Sequence, residues 1–586
     1  MRVQAMIFRL IPILLLPVLF GCTPEPENKT SDLHADVVVY GDASVGVAAA
    51  VQAARMGKSV ILVSQYGHLG GLTSSGLGYT DIGNRKILGG ISREFYHRVY
   101  LHYQKEEAWV QQTKDEFPRM GQGAPAFDDE TELGSVFEPK VAERIFNEMV
   151  AEAGVELVEG RLDLEEGAIM DGQRITGIRL EDGREIGGRM FIDASYEGDL
   201  MAAAGVSFTV GREANAKYDE KSNAITLPVH SNNLPDGIDP YRVMGDPGSG
   251  LLPGVNPYDE ADVGKGDHRL QAFCFRMCLT DAPDNLVPIE KPEGYDEADY
   301  EILFRALDAG HRGQWGQFYK FSAMPNRKTD SNNNGGISTD FIGRNYSPLP
   351  PDHADYWDWT TLSHDERDAL AEEHKHWQLG LVWTLQNHPR VPEDVREKYS
   401  GWGLPKDEFP DNGHWPYNLY VREGRRMISE FVMTEHQCRQ DPGYPEVTDS
   451  VGMGAYTMDS HHVQRVIWKG QLKNEGDIQM SLGGKPYPIS YRAIVPAKGE
   501  CENLLVPWCL SSSHIAFGSI RMEPVGMVLG QSAATAAVQA IEAGSPVQDV
   551  DYEKLKEQLI KDGQKLGVFD KSPDSAAPAP ATLPSN

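Results

Sequence analysis

Positive charge is scarce in this chain: 586 residues carry 55 lysines and arginines against 86 aspartates and glutamates, a formal net charge of -31. That field repels phosphate backbones and anionic headgroups, which argues against a nucleic-acid partner and leaves solubility as the use of the acidity. Cysteine is scarce too. Beyond Cys22 there are Cys274, Cys278, Cys438, Cys501 and Cys509, an odd number, so at least one stays a thiol. Cys274 and Cys278 have the spacing of a helix face rather than of a CxxC dithiol, and both read as buried structural residues. His414, His436, His461 and His462 lack a compact zinc spacing such as HExxH, so no catalytic metal is expected. After Cys22 no apolar run is long enough to span a bilayer. What is present is ordinary globular composition, 40% hydrophobic and 24% charged, with length for two or more domains.

Residues 1–22 read as a signal segment: Arg2 and Arg9, an apolar run from Leu10 to Phe20, then Leu19-Phe20-Gly21-Cys22. The ending resembles a bacterial lipobox. That resemblance implies a lipid on Cys22 and an exported protein held to a membrane, periplasmic or at the cell surface. An ordinary secretory signal with an incidental cysteine is the alternative. Residues 23–34 are polar and contain proline, as a tether should.

The folded part opens on Asp36-Val-Val-Val-Tyr40, a buried parallel strand by its β-branched run. Gly41-Asp42-Ala43-Ser44-Val45-Gly46 follows, then an Ala-rich helix to Met56, then a second strand at Ser59–Val63. Gly41 permits a tight turn, the small Ala43 lets main chain approach a pyrophosphate, and Gly46 lets helix and strand pack closely, with the helix N-terminus at Ser44 facing the phosphates. Two departures weaken this fingerprint. Ala43 replaces a glycine, and Ser64 stands where an acid usually binds the adenosine ribose, leaving Ser64 or Gln65 for that hydrogen bond. Next comes Gly67-His-Leu-Gly70-Gly71-Leu72-Thr73, placed where flavoproteins of the glutathione-reductase type close a Gly-Gly segment over the pyrophosphate and ribityl chain.

Further pieces fit the same cofactor. A helix is predicted over Pro139–Ala153, then a strand at Val155–Val158, with main chain around Leu162 able to meet an adenine edge. Met190-Phe-Ile-Asp193-Ala-Ser-Tyr-Glu-Gly198-Asp199 is an apolar strand ending in Asp with Gly-Asp shortly after, similar to a second FAD contact of that superfamily. Far downstream, a strand-like Asn503–Trp508 precedes Ser513-His514 and Arg521-Met-Glu-Pro524, with Pro524 in the first turn of a helix through Met527 to about Ile541. In related flavoproteins such a helix points its N-terminus at the flavin pyrimidine and stabilises the negative charge that builds there on reduction. A plain packing helix is the alternative.

GHLGGLTSSGLGYTDIGN, GGISREFYHR, MFIDASYEGDLMAAAGV, AFCFRMCLTD, MPNRKTD, DNGHWPYNLYVRE, SVGMGAYTMDSHHVQR, PISYRAIVP and SSSHIAFGSIRMEPVGMVLGQSAATAA together resemble the bacterial FAD-dependent oxidoreductase family, some members of which carry a xanthan-lyase label that is no guide to activity. The resemblance runs from about Asp36 to Asp562. It implies FAD, redox chemistry and an α/β architecture: a Rossmann-like FAD-binding domain of the glutathione-reductase type with a large inserted α+β substrate domain. The expected boundaries are 35–210 and 490–545 for the FAD domain, 211–489 for the insertion, 546–570 for a C-terminal segment and 571–586 for a tail.

Within the insertion, Ser363-His-Asp-Glu366 is a capping box that starts a helix running to about Gln386. Eight of the ten tryptophans lie between Trp315 and Trp468; flat aromatic faces suit sugars, and core packing is the preferred reading. Asp330 to Gly335 imitates a calcium loop, but position twelve is Phe341, so a polar loop is expected. No Cys pair follows the first motif, which excludes a disulfide reductase, and no second glycine fingerprint calls for NAD(P)H. Electrons then pass between flavin N5 and a small bound substrate, with an unknown electron acceptor. A sugar or sugar-derived alcohol is the leading substrate class. A nonsugar organic acid or enone is the alternative, and a flavin-binding lipoprotein without turnover a third reading. Candidate proton acceptors are His514 first, then His414 and His461, each equally able to serve structure, with Arg521 for an oxyanion or the flavin.

Overall fold

The computed structural model describes residues 33–121, 125–228 and 232–567. The signal segment, Cys22, most of the tether and the tail lie outside the described residues.

The Val-rich run forms β1 (Leu33–Tyr40), the turn opens α1 (Ser44–Arg55), and β2 (Val60–Ser64) follows. Then come α2 (Gly90–Tyr103), α3 (Pro139–Ala153), β3 (Glu156–Glu159), β4 (Ala168–Asp171), β5 (Arg174–Arg179) and β6 (Glu185–Asp193). The sheet runs β3-β2-β1-β6-β5-β4. Its left half is parallel, and β4 to β6 form an antiparallel meander. A short strand, β7 (Leu504–Leu505), returns from far downstream to pair in parallel with β6. Register aligns Tyr40 with Val63 and with Asp193, so the loops after β1, β2 and β6 emerge at one carboxyl edge. That edge is where open α/β sheets bind ligands.

The crossover is tight because two glycines remove side chains. A Cβ on Gly46 would lie 1.9 Å from the Gly41 carbonyl oxygen. The long Ala-rich helix α6 (Glu523–Ala543), which follows α5 (His514–Ile520), crosses α1 so closely that a Cβ on Gly530 would lie 2.2 Å from the Val45 carbonyl. We number the capping-box helix α4 (His364–Asn387); its Ser363 and Glu366 cap each other reciprocally, as their spacing predicts.

Residues 211–489 add no strand to this sheet among the described residues. They build a second core around Phe273, Phe304, Tyr319, Trp377, Leu381 and Trp415, which absorbs several of the tryptophans, while Trp315 is 80% exposed. Their later part, including Met453, Tyr487 and Ile489, packs into the first core. Cys278 lies on the strand Met277–Thr280 and Cys274 in an extended bridge to Tyr420, so the helical spacing of this pair is a coincidence; all five described cysteines are free and buried. Of the calcium-like segment only Asp330 and Ser331 belong to a strand, Lys328–Ser331, with Asp330 paired to Arg276 at 2.5 Å, and Asn332 to Gly335 lie outside any strand.

One buried charge cluster joins the two parts. Lys328 Nζ lies 2.7 Å from Glu138, 2.8 Å from Asp407 and 2.5 Å from Glu408. These three carboxylates stand close enough together for an ion, and the ammonium occupies their centre. Burial pushes Glu408 up to about 7 despite Lys328. Lys328→Met keeps the volume and strands the acids; unfolding monitored by circular dichroism is expected to show a loss of about 3–5 kcal/mol. A loss too small to measure would mean that the acids simply take up protons.

Candidate functional site

At the carboxyl edge a cleft runs from Gly41, Asp42 and Ala43 past Gln65 and Ala194 toward Asn418 and Leu419. At its Gly41 end the absence of a side chain lets two main-chain segments meet. Gly41 has φ +111°, and a Cβ there would strike the Ala194 carbonyl carbon at 2.5 Å. Gly70 (φ +107°) and Gly71 (φ +52°) bring the second segment against the first, with the Gly70 amide donating to the Asp42 carbonyl at 2.8 Å. The donor turn, the free helix N-terminus at Ser44 and these glycines fit a dinucleotide pyrophosphate.

Asp42 itself was not singled out by the sequence. Its carboxylate accepts from Ser64 Oγ (2.6 Å) and the Gln65 amide (3.0 Å), which places an acid at the end of β2 where the chain has serine. Burial raises its pKa, offset in part by Ser64 and neighbouring amides. Gln65 lines the cleft and donates to Tyr40 Oη at 2.7 Å.

Glu523, at the start of α6, gathers the motifs. It accepts from Ser44 Oγ (2.5 Å), Thr73 Oγ1 (3.0 Å) and Tyr196 Oη (2.9 Å), and Tyr196 Oη in turn accepts from the Leu72 amide at 2.8 Å. Four separated segments therefore meet at one buried carboxylate whose pKa is raised by burial.

Other expected cofactor residues are held by protein partners. The Leu162 amide donates to Tyr40 Oη (3.2 Å), and its carbonyl contacts His364 Nε2 (3.0 Å). Asp193 accepts from the Ser195 and Met201 amides and from Ser195 Oγ, closing the turn that reaches Gly198 (φ +71°); burial pushes it up to about 6. Asp199 pairs with Arg367 (2.7 Å) and Arg425 (2.8 Å) of the insertion; burial opposes its charge, but the arginines outweigh it and hold the pKa down to about 2. The Pro524 carbonyl accepts from Ser92 Oγ at 3.0 Å, and Met527 is wholly buried.

A second cavity, of about 140 Å³, lies across the segments 274–276 and 418–421 from the cleft: Phe275 and Leu419 line the cleft, whereas Arg276 and Tyr420 line the cavity. Its wall also carries Asp81, Lys320, Asp459 and His461. His461 Nδ1 lies 2.9 Å from Asp340, and Nε2 lies 3.4 Å from Asp459. Burial opposes ionisation of Asp459, yet His461, Arg521 and Arg422 bring it down to about 2. Arg521 donates to Tyr420 Oη and, at 3.1 Å, to the Asp459 carbonyl. Arg422, Arg521 and Arg276 stand 4.7, 5.6 and 6.0 Å from the Tyr420 ring centre.

The three candidate histidines are thus separated. His514 is 1% exposed, with Nδ1 at 2.7 Å from Glu423 and Nε2 at 2.9 Å from Ser460 Oγ, and it lines neither the cleft nor the cavity. His414 has φ +65° and contacts the Glu408 carbonyl at 3.1 Å. Of the three, His461 is the one on the wall of this cavity. Nothing in the spacing of Arg276, Asp340, Tyr420 and Asp459 marks them as neighbours.

No curated protein matches the chain. Similar solved structures include a 3-ketosteroid-Δ4-(5α)-dehydrogenase from Rhodococcus jostii RHA1 (20% identity, TM-score 0.19, 30% of this chain and 49% of that one). An L-proline dehydrogenase from P. horikoshii is another (16%, 0.21, 31% and 59%), as is an L-amino acid deaminase from Proteus vulgaris (15%, 0.22, 30% and 51%). The chain therefore spans only about half the length of each, and their substrates are their own. A family model described as FAD dependent oxidoreductase matches residues 36–559, and the chain belongs to that family of FAD-dependent enzymes.

Proposed function

We propose that this oxidoreductase acts on a sugar or sugar-derived alcohol in the cavity walled by Arg276, Tyr420, Asp459 and His461. The observation that carries the reading is His461, buried between two carboxylates on a wall of hydrogen-bonding groups that includes Ser322, Asn332, Asn333, Thr457 and Gln479. Such a wall suits a polyhydroxylated substrate. FAD, when bound, would supply the acceptor for a hydride. The alcohol carbon loses that hydride and its hydroxyl loses a proton, leaving a carbonyl. His461 receives the proton, Asp340 orients the ring, and Asp459 stabilises the imidazolium that forms. His514, held between Glu423 and Ser460, has a structural role in this reading. Gly41, Ala43, Ser44, Gly46, Gly70 and Gly71 hold the pyrophosphate, and Asp42 takes the adenosine ribose hydroxyls in place of an acid at Ser64. A lipid at Cys22 anchors the enzyme outside the cytoplasm.

A nonsugar organic acid or enone is the second reading, the acid favoured by Lys320, which lines the same cavity and forms no ion pair among the described residues.

Anaerobic addition of candidate sugars to the FAD-loaded protein tests the proposal: bleaching of the flavin by a sugar supports it, whereas no bleaching together with rapid reoxidation of the reduced protein by an enone favours the second reading. His461→Gln is expected to slow bleaching about 10²–10⁴-fold at unchanged FAD content. His514→Gln is expected to lower the melting temperature while the rate per bound flavin changes little. Asp42→Asn is expected to weaken FAD binding about 10–100-fold by fluorescence titration, the loss of a hydrogen bond to a charged group. FAD bearing a 2′-deoxyadenosine should bind wild type and Asp42→Asn alike; a further loss in the variant would make Asp42 a structural residue only.

A further inference from the structure

Away from both cavities, Arg465 sits in the insertion on the strand Gln464–Trp468. It is only 8% exposed, and its Nε has no hydrogen-bond partner. Among the described residues nothing accepts from its guanidinium and no carboxylate pairs with it. The one carboxylate whose charge it feels is Asp340, already paired with Arg422 at 2.8 Å and His461 at 2.9 Å. A buried guanidinium without a counter-charge is costly, and every other buried arginine among the described residues has an acid beside it.

Arg465 lines a small cavity of about 50 Å³ whose walls are otherwise mostly apolar: Leu252, Pro253, Ile302, Phe341 and Trp377. Phe341 and Trp377 stack at 4.6 Å and 7°, and Arg344 lies over Phe341 at 5.0 Å. Asp299 is the acid on this wall, and it forms no ion pair with Arg465. The cavity has an approach: a surface groove shares Asp299, Phe341, Arg344 and Trp377 with it. A space of this size holds a few waters or one small anion. Waters would satisfy the N–H donors but leave the charge uncompensated.

We propose that this cavity is a carboxylate-binding site, with Arg465 receiving a single planar carboxylate through paired N–H donors and the Phe341–Trp377 wall covering the apolar remainder of the ligand. Guanidinium and carboxylate match in this geometry, and low surrounding polarity strengthens the pair. The ligand is a small free monocarboxylate or the carboxylate of a uronic acid; both present the same group. The site is independent of the sugar-alcohol reading, because it shares no lining residue with the His461 cavity.

The test uses the FAD-loaded full chain, titrated with acetate or glucuronate at constant ionic strength set by sodium chloride, with the melting temperature as readout. Wild type is expected to show a saturable rise with acetate; a rise with glucuronate as well would mean that the groove admits a uronate, and acetate alone would identify the free acid. Arg465→Met should shift the half-effect concentration by about tenfold or more. Leu252→Trp, which fills the cavity and keeps the charge, should abolish the rise even if Arg465→Met does not fold. Lys320→Met, in the other cavity, should leave it intact. No saturable rise in wild type, or an equal rise in Leu252→Trp, overturns the site.

Discussion

The hydrogen bonds converging on Glu523 are the constraint on which the cofactor cleft depends. A buried carboxylate without a cation beside it needs donors from several directions, and here they come from Ser44, Thr73 and Tyr196. Each donor belongs to a different motif, so satisfying one acid fixes the first turn, the Gly-Gly segment, the loop after β6 and the start of α6 relative to one another. The close crossing of α1 and α6 through Gly530 follows from that placement, since the helix holding Glu523 must pass directly over the helix holding Ser44. The Gly41 and Gly71 main chain is then positioned by this packing.

Charge does similar work between the two parts of the protein. Asp199 ends a motif of the FAD-binding part, and its partners Arg367 and Arg425 belong to the insertion. Lys328 comes from the insertion, and its partner Glu138 precedes α3. Pairs of this kind add little net stability compared with apolar contacts, but a mismatched docking would leave a charge unpaired, so they make one arrangement much better than its neighbours. The carboxylates around His461 extend the same scheme: Asp340 and Asp459 are balanced by Arg422 and Arg521, which leaves the histidine between two ionised acids inside a cavity. Arg465 is the exception to this balance, and that imbalance is what marks its cavity.

The sequence was legible where one element carries its whole meaning. The β1-α1-β2 unit, the helix over Pro139–Ala153 and the capping box at Ser363 depend on neighbours within a few residues, and each stands where its pattern puts it. The weak point of the fingerprint was Ser64, because an acid expected at one position can be delivered from another. Asp42 reaches the end of β2 only because Tyr40 and Val63 are in register, a relation that no local spacing expresses. The Cys274–Cys278 spacing misled for the converse reason: four residues fit a helix face, but pairing with the strand Lys328–Ser331 and with Tyr420 imposes an extended chain.

By itself the sequence determined the dinucleotide-binding unit, since glycine spacing and β-branched runs act locally on the backbone, and its resemblance to a known family carried the flavin. Which histidine faces a cavity was decided only by the tertiary structure. His514 and His461 stand in equally polar motifs, but one is enclosed by Glu423 and Ser460 and the other opens between Asp340 and Asp459. Ser460, Glu423 and Asp340 reach these rings from 54, 91 and 121 residues away, so burial and access follow from the packing of distant segments rather than from the residue itself.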